Sequence, residues 1–70
     1  MECYETNDTF SRVEINRFAK WLDDEIGTDY EINESASGEP DEFYILVCDL
    51  VMDEVIKIRD HENGLERLWN

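Results

Sequence analysis

The sequence predicts an all-α domain, on three observations. Two independent devices mark a helix start at Ser11, apolar residues recur at helical spacing over residues 15–26 and again over 44–58, and glycines stand where each helix should stop. The expected architecture is two main helices, Ser11 to Ile26 and Pro40 to Asn63, followed by a short C-terminal helical turn. Seventy residues make a single small domain spanning 1–70, and a chain of that size buries only about 60% of its unfolded surface, so its core is modest.

The first helix is the best specified. Ser11 and Glu14 form an S-x-x-E capping box, and Phe10 and Ile15 occupy the two positions of a hydrophobic staple. Ile15, Phe18, Ala19, Leu22 and Ile26 follow as one buried stripe, Trp21 lies beside it within reach of Arg17 one turn earlier, and Gly27 ends it. From Thr28 to Glu39 the periodicity fails. The stretch Asn33 to Pro40 has the composition of a surface loop that Tyr30 and Ile32 could anchor.

The second helix opens with Pro40 in its first turn and with Asp41 and Glu42 at the favourable end of its dipole, and Gly64 stops it. On a helical wheel Tyr44, Val47, Cys48, Val51, Met52, Val55 and Ile58 share one side, while Asp49, Asp53, Glu54, Lys57 and Asp60 share the other. The expected core is Phe18, Leu22, Ile26, Val47, Val51, Val55 and Ile58, closed by Leu65, Leu68 and Trp69. Phe43, Leu46 and Leu50 form a second apolar strip left partly exposed, through which the chain would pair with a second copy as a homodimer. The alternative architecture is α+β with a strand at Phe43 to Val47, where β-branched and aromatic residues are dense and periodicity cannot decide.

Charge is the anomaly. Nineteen Asp and Glu against six Lys and Arg leave −13, which excludes a protein that binds phosphate backbones directly and disfavours anionic lipid. The start Met1-Glu2-Cys3-Tyr4-Glu5 lacks the basic and apolar regions of an export signal, and the apolar run Phe43 to Cys48 is too short to span a bilayer. Cys3 and Cys48 read as thiols of a reducing compartment, Cys48 as a small core residue, and the expected location is the cytoplasm.

Catalysis finds little support. His61 is the single histidine and reads as a surface residue, since His61-Glu62 lacks the second ligand of a zinc-binding H-E-x-x-H. The twelve residues from Asp23 to Glu34 begin and end like a calcium loop, but Thr28 stands where the turn glycine is needed and Gly27 where a ligand is needed. No Gly-rich phosphate loop is present. The expectation is a non-enzymatic protein without cofactor or metal.

The position of the charge is more informative. Between Trp21 and Ile56 there are twelve acids and neither Lys nor Arg. Asp23, Asp24 and Glu25 crowd the unfavourable C-terminal end of the first helix at about 0.3–1 kcal/mol each, and Asp49 and Asp53 would be a like-charged i, i+4 pair. A sequence that accepts local penalties is often serving a site. The candidate partner-binding residues are therefore Asp23, Asp24, Glu25, Asp49, Asp53 and Glu54, with Asp29 and Glu31 beside them. Acids about 5–6 Å apart on helix surfaces can imitate a nucleic-acid backbone before a Lys- and Arg-rich groove.

In size, acidity and exposed carboxylates over most of its length, with no shared motif, the chain resembles the small acidic phage-encoded inhibitors that mimic nucleic acids, many anti-CRISPR proteins among them. That resemblance implies a host nuclease, restriction factor or CRISPR complex as partner, its basic channel occluded in the host cytoplasm. The alternative is an acidic adaptor or antitoxin-like subunit that binds a basic protein without imitating anything.

Overall fold

The computed structural model describes residues 2–36, 38 and 40–69, with side chains described as far as residue 65. The order is β1 (Glu2–Glu5), α1 (Arg12–Glu25), β2 (Tyr30–Glu34), β3 (Phe43–Leu50) and α2 (Met52–Trp69). The fold is α+β and not all-α. Three antiparallel strands form a sheet in the order β1-β3-β2, so the last strand in sequence is the central one.

The start of α1 follows its sequence signals. The Ser11 side chain accepts from the Glu14 N–H and the Glu14 carboxylate accepts from the Ser11 N–H, while Phe10 and Ile15 are both buried. At the other end Gly27, at φ +80°, donates its N–H to the Leu22 carbonyl and turns the chain out of the helix.

The segment expected as one helix from Pro40 to Asn63 divides into β3 and α2. Phe43, Ile45 and Val47 are buried on one face, while Tyr44, Leu46 and Cys48 lie half-buried on the other. A central strand is apolar on both sides, and such a run mimics helical spacing. The division falls at Asp49 to Val51. Asp49 has φ +61°, which a helix cannot accommodate, and α2 begins after Val51, whose N–H donates to the Glu54 carboxylate. Pro40, Asp41 and Glu42 accordingly end the β2–β3 connection instead of opening a helix. The Asp41 carboxylate instead accepts the Arg12 N–H at 2.8 Å and so caps α1 from a distant loop. Gly64 lies inside α2 and does not stop it.

Both helices cover the face that carries Phe43, Ile45 and Val47. The core unites Phe10, Ile15, Phe18, Ala19, Leu22, Phe43, Ile45, Val47, Leu50 and Ile58. Of the expected core, Val51 is 58% exposed, and Ile26 and Val55 are packed only at the margin with Leu65. Leu68 and Trp69 lie outside the described side chains. Phe43 and Leu50 are buried, so the apolar strip expected to form a homodimer does not exist as a surface; only Leu46 of the three faces outward.

The cysteines are not thiols. Cys3 and Cys48 form a disulfide between β1 and β3 with their Cα atoms 4.0 Å apart. In the pairing of these strands Glu2 lies opposite Leu50 and Tyr4 opposite Val47, so Cys3 faces the two residues Cys48 and Asp49. That is a β-bulge, and the left-handed Asp49 is its extra residue.

Candidate functional site

The acids named from the sequence converge on one end of the molecule, brought there by four segments. Asp23, Asp24 and Glu25 close α1, whose last turn carries no basic residue. The Gly27 turn leads through Asp29 into β2, where Glu31 is exposed. Asp49 projects from the bulge at the end of β3, and Asp53 and Glu54 sit in the first turn of α2. Asp29, Tyr30, Glu31, Leu46, Cys48 and Asp49 line one shallow depression of about 200 Å³. Lys57 bridges from α2 to Glu25 at 3.0 Å and ties the two helices together at this end.

The geometry differs from the helical array expected from sequence. Asp49 and Asp53 are not an i, i+4 pair, because the chain changes from strand to helix between them. Asp53 and Glu54 stand at the favourable end of a helix dipole, and Glu54 has the structural task of holding the Val51 N–H at 3.0 Å. The penalty at the end of α1 does stand. Its three acids occupy the negative end of the dipole, and the Lys57–Glu25 pair, about half exposed, offsets them little.

Two tyrosines flank Val47 on the helix-covered face, Tyr4 from β1 and Tyr30 from β2. Each reaches an acid of a helix. The Tyr30 hydroxyl points to the Asp23 carboxylate at 3.4 Å, and burial first, then the Asp23 charge, pushes its pKa above the ordinary phenol value. The Tyr4 hydroxyl donates to Glu62, a fully buried carboxylate that also accepts the Asp8 N–H at 3.0 Å. Burial and then this acid push the Tyr4 phenol far above its ordinary value.

His61 is half-buried and packed, not a free surface side chain. Its ring stacks on Trp21 with centroids 3.9 Å apart and meets the edge of Phe18 at 5.2 Å, so Trp21 receives a histidine from α2 where Arg17 was expected. Burial holds the His61 pKa below its ordinary value. The sequence offered no sign of this stack or of the buried Glu62, since both depend on how α2 lies across α1 and β1. The disulfide had one available signal, two cysteines near the ends of segments that could pair as strands.

Among the described residues no group of three or more His, Cys, Asp or Glu side chains converges as a metal site. The acids are presented separately, as a charged surface. Among the described residues no helix is long and apolar enough to cross a membrane. No family model, curated protein or solved structure matches the chain.

Proposed function

We propose that this chain is a non-catalytic binding protein whose acidic end docks on the basic, nucleic-acid-binding surface of another protein and occludes it. The observation that supports this reading is the gathering of Asp23, Asp24, Glu25, Asp29, Glu31, Asp49, Asp53 and Glu54 from four segments onto one end, with Lys57 the cation beside them. Charges held on a small rigid frame lose little freedom when a partner arrives, and their summed field steers a basic partner toward them. The Cys3–Cys48 disulfide removes the thiol argument for a reducing compartment. Asp53 and Glu54 also serve the α2 start, Asp23 accepts from the Tyr30 hydroxyl and Glu25 pairs with Lys57, which leaves Asp24, Asp29 and Glu31 as the acids least committed to the fold.

The test begins with affinity capture from a bacterial lysate, followed by competition on the captured protein. The wild-type chain should displace labelled DNA or RNA from it, less effectively between about 50 and 200 mM salt. Changing Asp23, Asp24 and Asp29 together to Lys should abolish displacement, whereas Glu34→Lys with Asp60→Lys, away from the acidic end, should leave it largely intact. A captured protein that holds nucleic acid and this chain at once would favour the adaptor reading.

A further inference from the structure

The helix-free face of the sheet carries an inference that rests on that reading and specifies the partner. Both helices lie on the opposite face, so Tyr44, Leu46 and the Cys3–Cys48 bridge form a central apolar stripe that no element of the described chain covers. Leu46 is paired with Glu5 of β1 on one side and Glu31 of β2 on the other, and all three point to this open face. Glu5 and Glu31 are exposed, and Asp29 and Asp49 continue the acidic border at one end.

The distribution of cations sharpens the picture. All six Lys and Arg residues stand in α1 and α2, and no strand or connection contains one. The open face is thus apolar along its middle and acidic at its borders, with its strands free of positive charge. A second copy laid on it would set acid against acid. A partner with an apolar stripe bordered by cations would complement it in both respects.

We propose that this face docks a basic amphipathic helix of the partner protein. The dimensions agree. The rows of Glu5 and Glu31 are two strand spacings apart, about 10 Å, which is the diameter of a helix with its side chains. The eight residues of β3 extend about 26 Å, the length of a helix of roughly 18 residues. Seated there, the helix would bury its stripe on Tyr44, Leu46 and the disulfide. Its flanking Lys and Arg would reach over the borders to Glu5 on one side and Glu31 and Asp29 on the other, completing a three-layer α/β/α arrangement.

The experiment uses the intact, oxidised chain and three blocked 18-residue peptides of equal positive charge. One carries a leucine stripe flanked by Lys and Arg, one has the same composition scrambled, and one has glutamine in place of leucine. The striped peptide should bind about tenfold tighter than either control, with amide and methyl shifts at residues 5, 31, 44 and 46. Leu46→Ser should remove most of that preference, and Glu5→Gln with Glu31→Gln should weaken the salt dependence; dichroism would verify that each variant folds. The shift map on the unaltered chain stands independently of the variants.

Equal binding of all three peptides would overturn the inference and leave the acidic-surface reading in place, whereas failure of every peptide to bind at low salt would count against both. Shifts confined to Val51, Met52 and Ile56 of α2 would overturn it, as would a dimer in sedimentation that protects Leu46.

Discussion

The Tyr4 hydroxyl donates to the Glu62 carboxylate across 58 residues of sequence, pinning α2 to the first strand of the sheet. Glu62 is fully buried and its other oxygen accepts the Asp8 N–H, so one acid holds β1, the following turn and the last helix together. Tyr4→Phe keeps the ring and removes the donor, which leaves a buried carboxylate short of one partner at a cost of about 1–3 kcal/mol, readable by urea denaturation at pH 7. The folded-state phenol pKa lies above the unfolded value of 10, so its contribution is complete below pH 10 and declines as pH rises beyond it. The Phe variant should therefore lose less stability than wild type between about pH 9.5 and 11, and equal losses would show that Tyr4 does not titrate the fold.

His61 contributes a separable part of the acid side. Its folded-state pKa is depressed by burial, so the unfolded chain binds the proton more readily and stability falls as pH drops below about 6.5, the unfolded value. His61→Phe preserves an aromatic partner for Trp21 and does not titrate. The difference in denaturation midpoint between wild type and this variant should widen in favour of the variant from pH 7 to pH 5, and a constant difference would contradict the assignment.

The legible part of the fold was the part written in local chemistry. Ser11, Glu14, Phe10 and Gly27 each act through neighbours within a few residues, and α1 runs Arg12–Glu25 between them. What escaped was non-local. Tyr44, Val47 and Cys48 fit a helical wheel because β3 is the central strand, apolar on both faces, and nothing in the run itself reveals strands on either side. The start of α2 was hidden because Val51 is no usual cap and Glu54 supplies the cap from inside the helix. The acidic surface was legible as composition and only partly as geometry. The run of acids at the end of α1 is plain in the sequence, but Asp49, which helical spacing puts on a helix face, sits in a bulge at the end of β3.

The disulfide should be a major stabiliser of so small a domain. It closes a loop of sequence separation 45, for which the chain-entropy relation gives about 4 kcal/mol, and native bridges in small domains typically contribute about 2–5. Reduction, or Cys3→Ser with Cys48→Ser, should lower the unfolding free energy by that order and loosen β1 first, because β1 is an edge strand of four residues. Hydrogen exchange on residues 2–6 in oxidised and reduced protein checks this. Unchanged protection there would mean that backbone pairing and the Tyr4–Glu62 contact hold β1 without the bridge.

Asp49 separates charge from backbone. At φ +61° it occupies a conformation that Asn and Gly accept and that most side chains resist by about 1 kcal/mol or more. Asp49→Asn removes the charge and suits the bulge, so stability should stay within about 0.5 kcal/mol while binding of a basic partner weakens and its salt dependence shrinks. Asp49→Lys should weaken binding further, and it should also destabilise the fold, because Lys lacks the short polar side chain that lets Asp and Asn settle in the left-handed conformation. Calorimetry and titration on the same two variants distinguish the effects. If Asn and Lys destabilise equally, the bulge is not strained at this residue; if Asn binds a basic partner as tightly as wild type, the carboxylate at Asp49 serves the turn and the acidic surface is built by the remaining acids.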